Sequence, residues 1–268
     1  MFEIRALYDT IRDLKKRGAL YTNCFFLPPK MKSISEQEDS QIQTAKDYIV
    51  LLYNERNFQR LYFWCISTSL IAELYSTVQQ LKEKNRFIVV DIVGTADYIR
   101  DVAIPFENMG ARKYIVQSRY RATALRMVPV KTTDCVCALI SPGDVQEALG
   151  LLESNLDPIV SHLPTQSYLH ELQSENLVYG CYAHGQLIGV ECLEPIGVKG
   201  RYIYQVVIKK EKQHQGYVMA LKNYIAQCNL QCRPWTVWID DTNSGSIYVH
   251  EQFGLKKDGV KNMVLVFE

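Results

Sequence analysis

The sequence predicts an α/β protein of the α+β kind, with a mixed, mostly antiparallel sheet flanked by helices. Three observations predict it. Short runs rich in branched and aromatic residues alternate along the chain with longer amphipathic runs. Two of the short runs, "NLVYGCYA" and "QLIGVECLEP", are separated only by His184-Gly185, which is hairpin chemistry and sets the flanking strands antiparallel. The two halves also follow one plan. The strand starts Leu61 and Tyr202 lie 141 residues apart, and the helix ends "ENMGA" and "EQFGL" lie 144 apart.

In order, Ile4, Leu7, Ile11 and Leu14 repeat at helical spacing, and Gly18 is placed to end that helix. A polar segment, "KMKSISEQEDSQIQ", leads into "AKDYIVLLYN". Leu61–Ile66 reads as a strand, "LIAELYSTVQQLKEK" as an amphipathic helix, and "RFIVVDIVG" (86–94) as a buried strand followed by a helical run. The basic stretch 119–135 loses periodicity, which suggests domains at 1–130 and 131–268. Beyond it, "PGDVQEALGLLESNL" is a helix with Asp144 as its expected N-cap. The hairpin and the strand 201–208 follow. Positions 217, 221, 224, 225 and 228 are apolar at helical spacing. Then come the strand "WTVWID", a short helix to Phe253, and a last strand, "KNMVLVF".

The totals exclude several classes. The chain has 268 residues, a 47% apolar fraction and a formal net charge of +1. Real cores are expected, and no global attraction to nucleic acid or anionic lipid. No run approaches a membrane span, and the N-terminus lacks a signal-peptide core, so a cytoplasmic protein with reduced thiols is expected. Of the eight cysteines, "CVC" at 135–137 and the Cys228/Cys232 pair match no zinc knuckle or ribbon, and no metal is expected.

The loop "KKEKQHQG" between the strand ending at Ile208 and the helix starting at Tyr217 carries the main functional signal. A strand–loop–helix junction exposes unpaired N–H groups at the positive end of a helix, and Gly216 would let a phosphate approach the backbone. Taken alone, Gly216 is also an ordinary turn glycine. The loop does not stand alone, however, and residues 135–268 resemble the GNAT family of acyl-CoA-dependent N-acyltransferases. That family carries Gln/Arg-x-x-Gly-x-Gly/Ala here. Gln213 and Gly216 match it, while Val218 departs from the small third residue. Asn243, Ser246 and Gly254 in "WIDDTNSGSIYVHEQFGL" fit the family's downstream spacing, with Leu255 in the place of a Phe. "YAHGQLIGVECL" resembles its paired strands with a glycine in the second. The first half, "LYFWCISTSLIAELY", has no such loop and reads as a degenerate copy that does not bind the cofactor.

The resemblance implies an N-acetyltransferase that takes acetyl-CoA (coenzyme A) and acts on a small-molecule or amino-acid-like amine. It implies no nucleic-acid or membrane partner and is compatible with a homodimer. A non-catalytic acyl-CoA-binding or protein-interaction module is the alternative. Gln213, His214, Gln215, Gly216, Tyr217 and Val218 would cradle the pyrophosphate through main-chain N–H groups. The backbone of Val206, Val207 and Ile208 would run along the pantetheine arm and polarise the thioester, with Asn243 and Ser246 nearby. The acid for the leaving thiolate is either Tyr248 or His250. Two apart on a helix, they face different ways. Glu191 and Glu194 bracket the strand where an amine would approach and are the candidate bases. His162 lies in the segment that covers the acceptor in the family.

Overall fold

The computed structural model describes residues 3–24, 31, 34, 35, 39–130 and 134–268. The chain forms two compact units. The first comprises residues 1–117 and 259–268, the second residues 118–258. A single cut near 130 therefore does not describe the chain, and it falls beside 131–133, outside the described residues. Residues 118–130 go with the second unit, and the last ten residues go with the first.

The first unit opens with α1 (Ile4–Arg17), which Gly18 follows as expected. Strands β1 (Tyr21–Thr22), β2 (Gln41–Thr44), β3 (Tyr48–Glu55) and β4 (Phe58–Cys65) lead to helix α2 (Ile71–Leu81), strand β5 (Phe87–Gly94) and helix α3 (Ala96–Asn108). The "AKDYIVLLYN" segment thus holds β3. Two-residue periodicity gives this sheet two buried faces. Val50, Leu52, Leu61 and Phe63 pack with Leu74, Val78, Val102 and Phe106 of the two helices. Ile49, Leu51, Tyr62 and Trp64 face Leu7 and Leu14 of α1. Its strand order is β2-β3-β4-β5, with the last strand of the chain, β12 (Lys256–Phe267), beside β5 over Lys261–Phe267.

The second unit receives the end of β6 (Arg112–Ala122), then β7 (Val136–Leu139), α4 (Val145–Asn155), the single turn α5 (Pro158–Ser161) and α6 (Gln166–Ser174). The hairpin β8 (Val178–Ala183) and β9 (Gln186–Ile196) follows, then β10 (Gly200–Ile208), α7 (Tyr217–Cys228), β11 (Trp235–Asp240) and α8 (Ser244–Gln252). Its order is β6-β11-β10-β9-β8-β7. His184 and Gly185 both have positive φ, 49° and 77°, as a two-residue hairpin turn requires. Asp144 is not a side-chain N-cap. It ends a short turn in helical geometry, and its carboxylate accepts from Ser141 Oγ and Tyr182 Oη.

The two units repeat one local design. In each, an antiparallel pair is followed by a strand–helix–strand step to a parallel neighbour: β3-β4-α2-β5 and β9-β10-α7-β11. The following helices also end alike. Gly110 and Gly254 both adopt left-handed geometry, with φ of 94° and 88°. The next N–H, of Ala111 or Leu255, returns to the carbonyl of Phe106 or His250. Among the described residues no helix is long and apolar enough to cross a membrane.

Candidate functional site

The site is built where β10 leaves β11. Their parallel ladder holds only Arg201 opposite Trp235 and Tyr202 opposite Thr236. Just beyond, a register shift between Ile203 and Gln205 places a bulge at Tyr204 against β9. A bulge increases local twist and bends the strand, which re-aims the segment that follows. Val206, Val207 and Ile208 continue to pair with Glu191, Val190 and Gly189 on one side. On the other side no ladder joins them to β11. Gly189 is required here, because a Cβ on it would sit 2.2 Å from Ile208 Cδ1.

From Ile208 the chain makes one tight turn, Lys210–Lys212, and reaches α7 through Gln213–Gly216. Gln213 Nε2 donates back to the Ile208 carbonyl at 3.2 Å, and Gln215 Nε2 to the Glu211 carbonyl at 3.2 Å. These two side chains brace the loop from within. His214 and Gly216 have φ of 61° and 84°. The main-chain N–H groups of residues 214–218 donate to no acceptor among the described residues, and the first helical donors are Met219 and Ala220, both to Gly216 O. The Tyr217 side chain is buried, and Val218 packs against the core. A Val in place of a small residue thus takes up core volume and leaves the backbone exposed to the loop. A row of free N–H groups at the start of a twelve-residue helix, behind a left-handed glycine, suits an anionic phosphate.

Helix α8 turns its two candidate acids to opposite sides. Tyr248 is 61% exposed and His250 1% exposed. Tyr248 therefore faces solvent, about 200° around the helix from His250. His250 Nδ1 lies 2.8 Å from the Ser246 carbonyl. A carbonyl only accepts, so Nδ1 carries the proton and the neutral ring leaves Nε2 as a bare lone pair. That Nε2 is buried without a partner. Burial, and then the nearby Lys222 ammonium, hold the imidazole well below its usual range. Protonated His250, the form an acid would need, is absent from the resting protein near neutral pH. The Asn243 side-chain oxygen caps α8 by accepting from Ser246 N at 2.9 Å.

Glu191 is also displaced from its expected role. It is 0% exposed, and both its oxygens meet Lys222 Nζ, at 3.0 and 3.1 Å. Burial raises its pKa, and Lys222 opposes that rise. A carboxylate held by a buried ammonium is not an accessible base. Glu194, three residues on and on the opposite face of β9, is half-buried and accepts from Tyr168 Oη at 2.8 Å. It stands opposite Tyr202 in the ladder, and Tyr202, Tyr204 and Tyr168 form a chain of ring contacts beside it. His162 sits in a left-handed turn, and its carbonyl accepts from Tyr204 Oη. Lys222 was missed from sequence, although a signal existed. It lies between Val218 and Ile225 in the inward stripe of α7, where a lysine is out of place.

No model of a known protein family matches the sequence, and no curated protein matches it. Solved structures do resemble it. A GCN5-related N-acetyltransferase from Sphaerobacter thermophilus superposes with a TM-score of 0.63 at 13% identity, covering 93% of this chain and 95% of its own. One from Kribbella flavida gives 0.60 at 12% identity, covering 91% and 96%. The chain has the GNAT fold. A tandem GNAT protein from the clavulanic acid biosynthesis pathway also matches, at 0.54 and 12% identity, covering 86% of this chain and 84% of its own. At these identities the likeness concerns the GNAT backbone plan, and the site residues stand on their own geometry.

Proposed function

We propose that the second unit binds acetyl-CoA and transfers its acyl group to a small amine. The carrying observation is the coincidence of two features at one strand end. The parting of β10 from β11 begins at the Tyr204 bulge, and the same strand then runs into the loop with five unpaired N–H groups. The loop 213–218 would hold the pyrophosphate with its backbone, and the free edge of Val206–Ile208 would pair with the amide-bearing pantetheine arm. The bound cofactor supplies an activated thioester. The chain's own part is to hold it, to polarise its carbonyl with a strand N–H, and to take a proton from the amine. Of the two expected carboxylates only Glu194 keeps an accessible face, beside the tyrosine rings that would receive an ammonium group. His250 Nε2 contributes a buried hydrogen-bond acceptor.

The second reading, a non-catalytic acyl-CoA-binding module, is favoured by one observation. Tyr248 faces solvent and His250 is neutral, so neither expected acid is in place. Two measurements separate the readings. Calorimetry with CoA should give one site per chain and a raised melting temperature, and Gly216→Asp should abolish both by placing a carboxylate in the phosphate cradle. An amine-library assay for CoA release should then show turnover that Glu194→Gln lowers by about 10²-fold or more, with CoA affinity unchanged. CoA binding without turnover on any amine supports the module. No CoA binding at millimolar ligand removes both readings.

A further inference from the structure

At the sheet edge of the second unit, Cys135 and Cys137 stand two residues apart at the start of β7, which places both on one face. In the β7–β8 ladder Cys181 lies directly opposite Cys137. The three sulfur atoms lie within 4.8 Å of one another. Sequence spacing exposes only the Cys-x-Cys pair, and strand pairing brings in the third thiol. Cys181 is buried, while Cys135 and Cys137 are half-buried, so the cluster is reachable from solvent. A cavity of about 420 Å³ adjoins it, lined by Cys135, Asp134, Tyr182 and His184 among others.

We propose that Cys135, Cys137 and Cys181 form a trithiolate site for a thiophilic d¹⁰ cation such as Zn²⁺ or Cu(I). Sulfur–metal bonds of about 2.3 Å place three ligands of one ion roughly 4 Å apart, within the observed spread. Thiolates select soft cations over Mg²⁺ or Ca²⁺. On binding, each thiol gives its proton to solvent as its sulfur bonds the ion, and no group changes oxidation state. An ion here would clamp the edge strand β7 to β8, strengthening the least-covered ladder of the unit.

The test uses the full chain, reduced and metal-free. Titration with Cd²⁺ should produce a thiolate-to-metal charge-transfer band that saturates at one equivalent. Zn²⁺ should displace the Cd²⁺, and three thiols should become unreactive to a thiol reagent. Cys135→Ser, Cys137→Ser and Cys181→Ala should each lose the one-equivalent site while keeping the native circular dichroism spectrum. Cys228→Ser, which removes an exposed thiol, should keep it. Unchanged affinity in Cys181→Ala overturns the proposal, as does the absence of a band in protein with eight titratable thiols. Loss of two thiols on air exposure without any metal binding also overturns it, because the cluster is then a Cys137–Cys181 disulfide pair. If a serine variant misfolds, the thiol count of the wild-type protein with and without Zn²⁺ still decides the matter.

Discussion

In the first unit the β4–β5 ladder holds Phe58–Arg60 against Phe87–Val89 and stops. Beyond it the freed edge of β4 is taken by the chain itself. Tyr21 and Thr22 pair with Cys65 and Trp64. The Asn23 side chain donates to Leu61 O and accepts from Phe63 N, both at 2.8 Å. Tyr98 Oη locks the insert by bonding both N and O of Thr22 at 2.9 Å. In the second unit the β10–β11 ladder stops in the same way, and no strand takes the freed edge among the described residues. Buried backbone groups need partners. The first unit supplies them from its own N-terminal segment, so its slot is closed, and its helix α2 starts directly after the strand through a turn capped by Ser67. In the second unit the equivalent groups have no ladder partner among the described residues. The same plan is therefore completed differently at its two strand ends.

Each unit also buries a charge centre. Arg60 of the first unit is fully buried and bonds Glu55 and Asp91, and Asn262 adds a contact to Asp91 at 3.1 Å. The Glu191–Lys222 pair of the second unit is as deeply buried, but beside it His250 Nε2 stands without a partner. Asn262 Oδ1 in the first network is likewise buried without a partner, so neither centre is fully closed. The largest effect is expected from breaking the second pair. Lys222→Met leaves a buried, uncompensated carboxylate and should cost about 3–5 kcal/mol in urea unfolding. The double variant Glu191→Leu/Lys222→Met should regain most of that, since replacing a whole buried pair is often near neutral. A cost below about 1 kcal/mol for Lys222→Met would show that solvent reaches the pair.

The insert gives the next effect in size. Asn23→Ala strands the Leu61 carbonyl and the Phe63 N–H in a buried slot, and should cost about 1–3 kcal/mol. CoA affinity should not change, because the slot it weakens belongs to the first unit. If Asn23→Ala instead raises CoA stoichiometry above one per chain, the first unit retains a latent site and the comparison must be redrawn.

Much of the fold was legible because it rests on local patterns. Gly18, the His184-Gly185 turn and the paired "ENMGA" and "EQFGL" ends each encode a backbone geometry in a few residues, and all sit where they were expected. The exchange of the last strand was not legible. "KNMVLVF" reads as the last strand of the second half, while Met263 and Leu265 in fact pair with Ile92 and Val90, a partnership no local signal carries. The site divides in the same way. The strand–loop–helix junction at Gln213–Gly216 could be read from spacing, because it is a local device. The burial of Glu191 and the exposure of Tyr248 could not be read in the same way, because each depends on which face of an element is buried. Helix α8 has apolar and polar residues scattered around it, so its spacing could not fix that face. The three thiols were invisible as a group until β7 and β8 were paired.

The smallest effect is the pH dependence of His250, and it bears on whether the open valence is a cost that the fold carries. In the unfolded chain the imidazole titrates near ~6.5. In the folded protein burial, reinforced by Lys222, keeps it neutral well below that. Below about pH 6.5 the unfolded state therefore binds one more proton than the folded state, and stability falls as pH falls, by up to about 1.4 kcal/mol per pH unit. Above that pH the contribution is constant. Glu191, whose folded pKa is raised, acts with the opposite sign above its unfolded value near ~4.5, so the total curve mixes the two. His250→Asn separates them, because its amide can still donate to the Ser246 carbonyl in place of Nδ1 and nothing there titrates. The stability difference between wild type and His250→Asn should be flat from pH 8 to 7 and should shrink or reverse steadily from 6.5 to 5. Saturating CoA should leave the onset unchanged and extend the decline to lower pH if a group of the ligand donates to Nε2, since protonation in the folded state would then have to break a hydrogen bond. A flat difference across the range means that His250 protonates freely in the folded protein. In that case its lone pair reaches solvent.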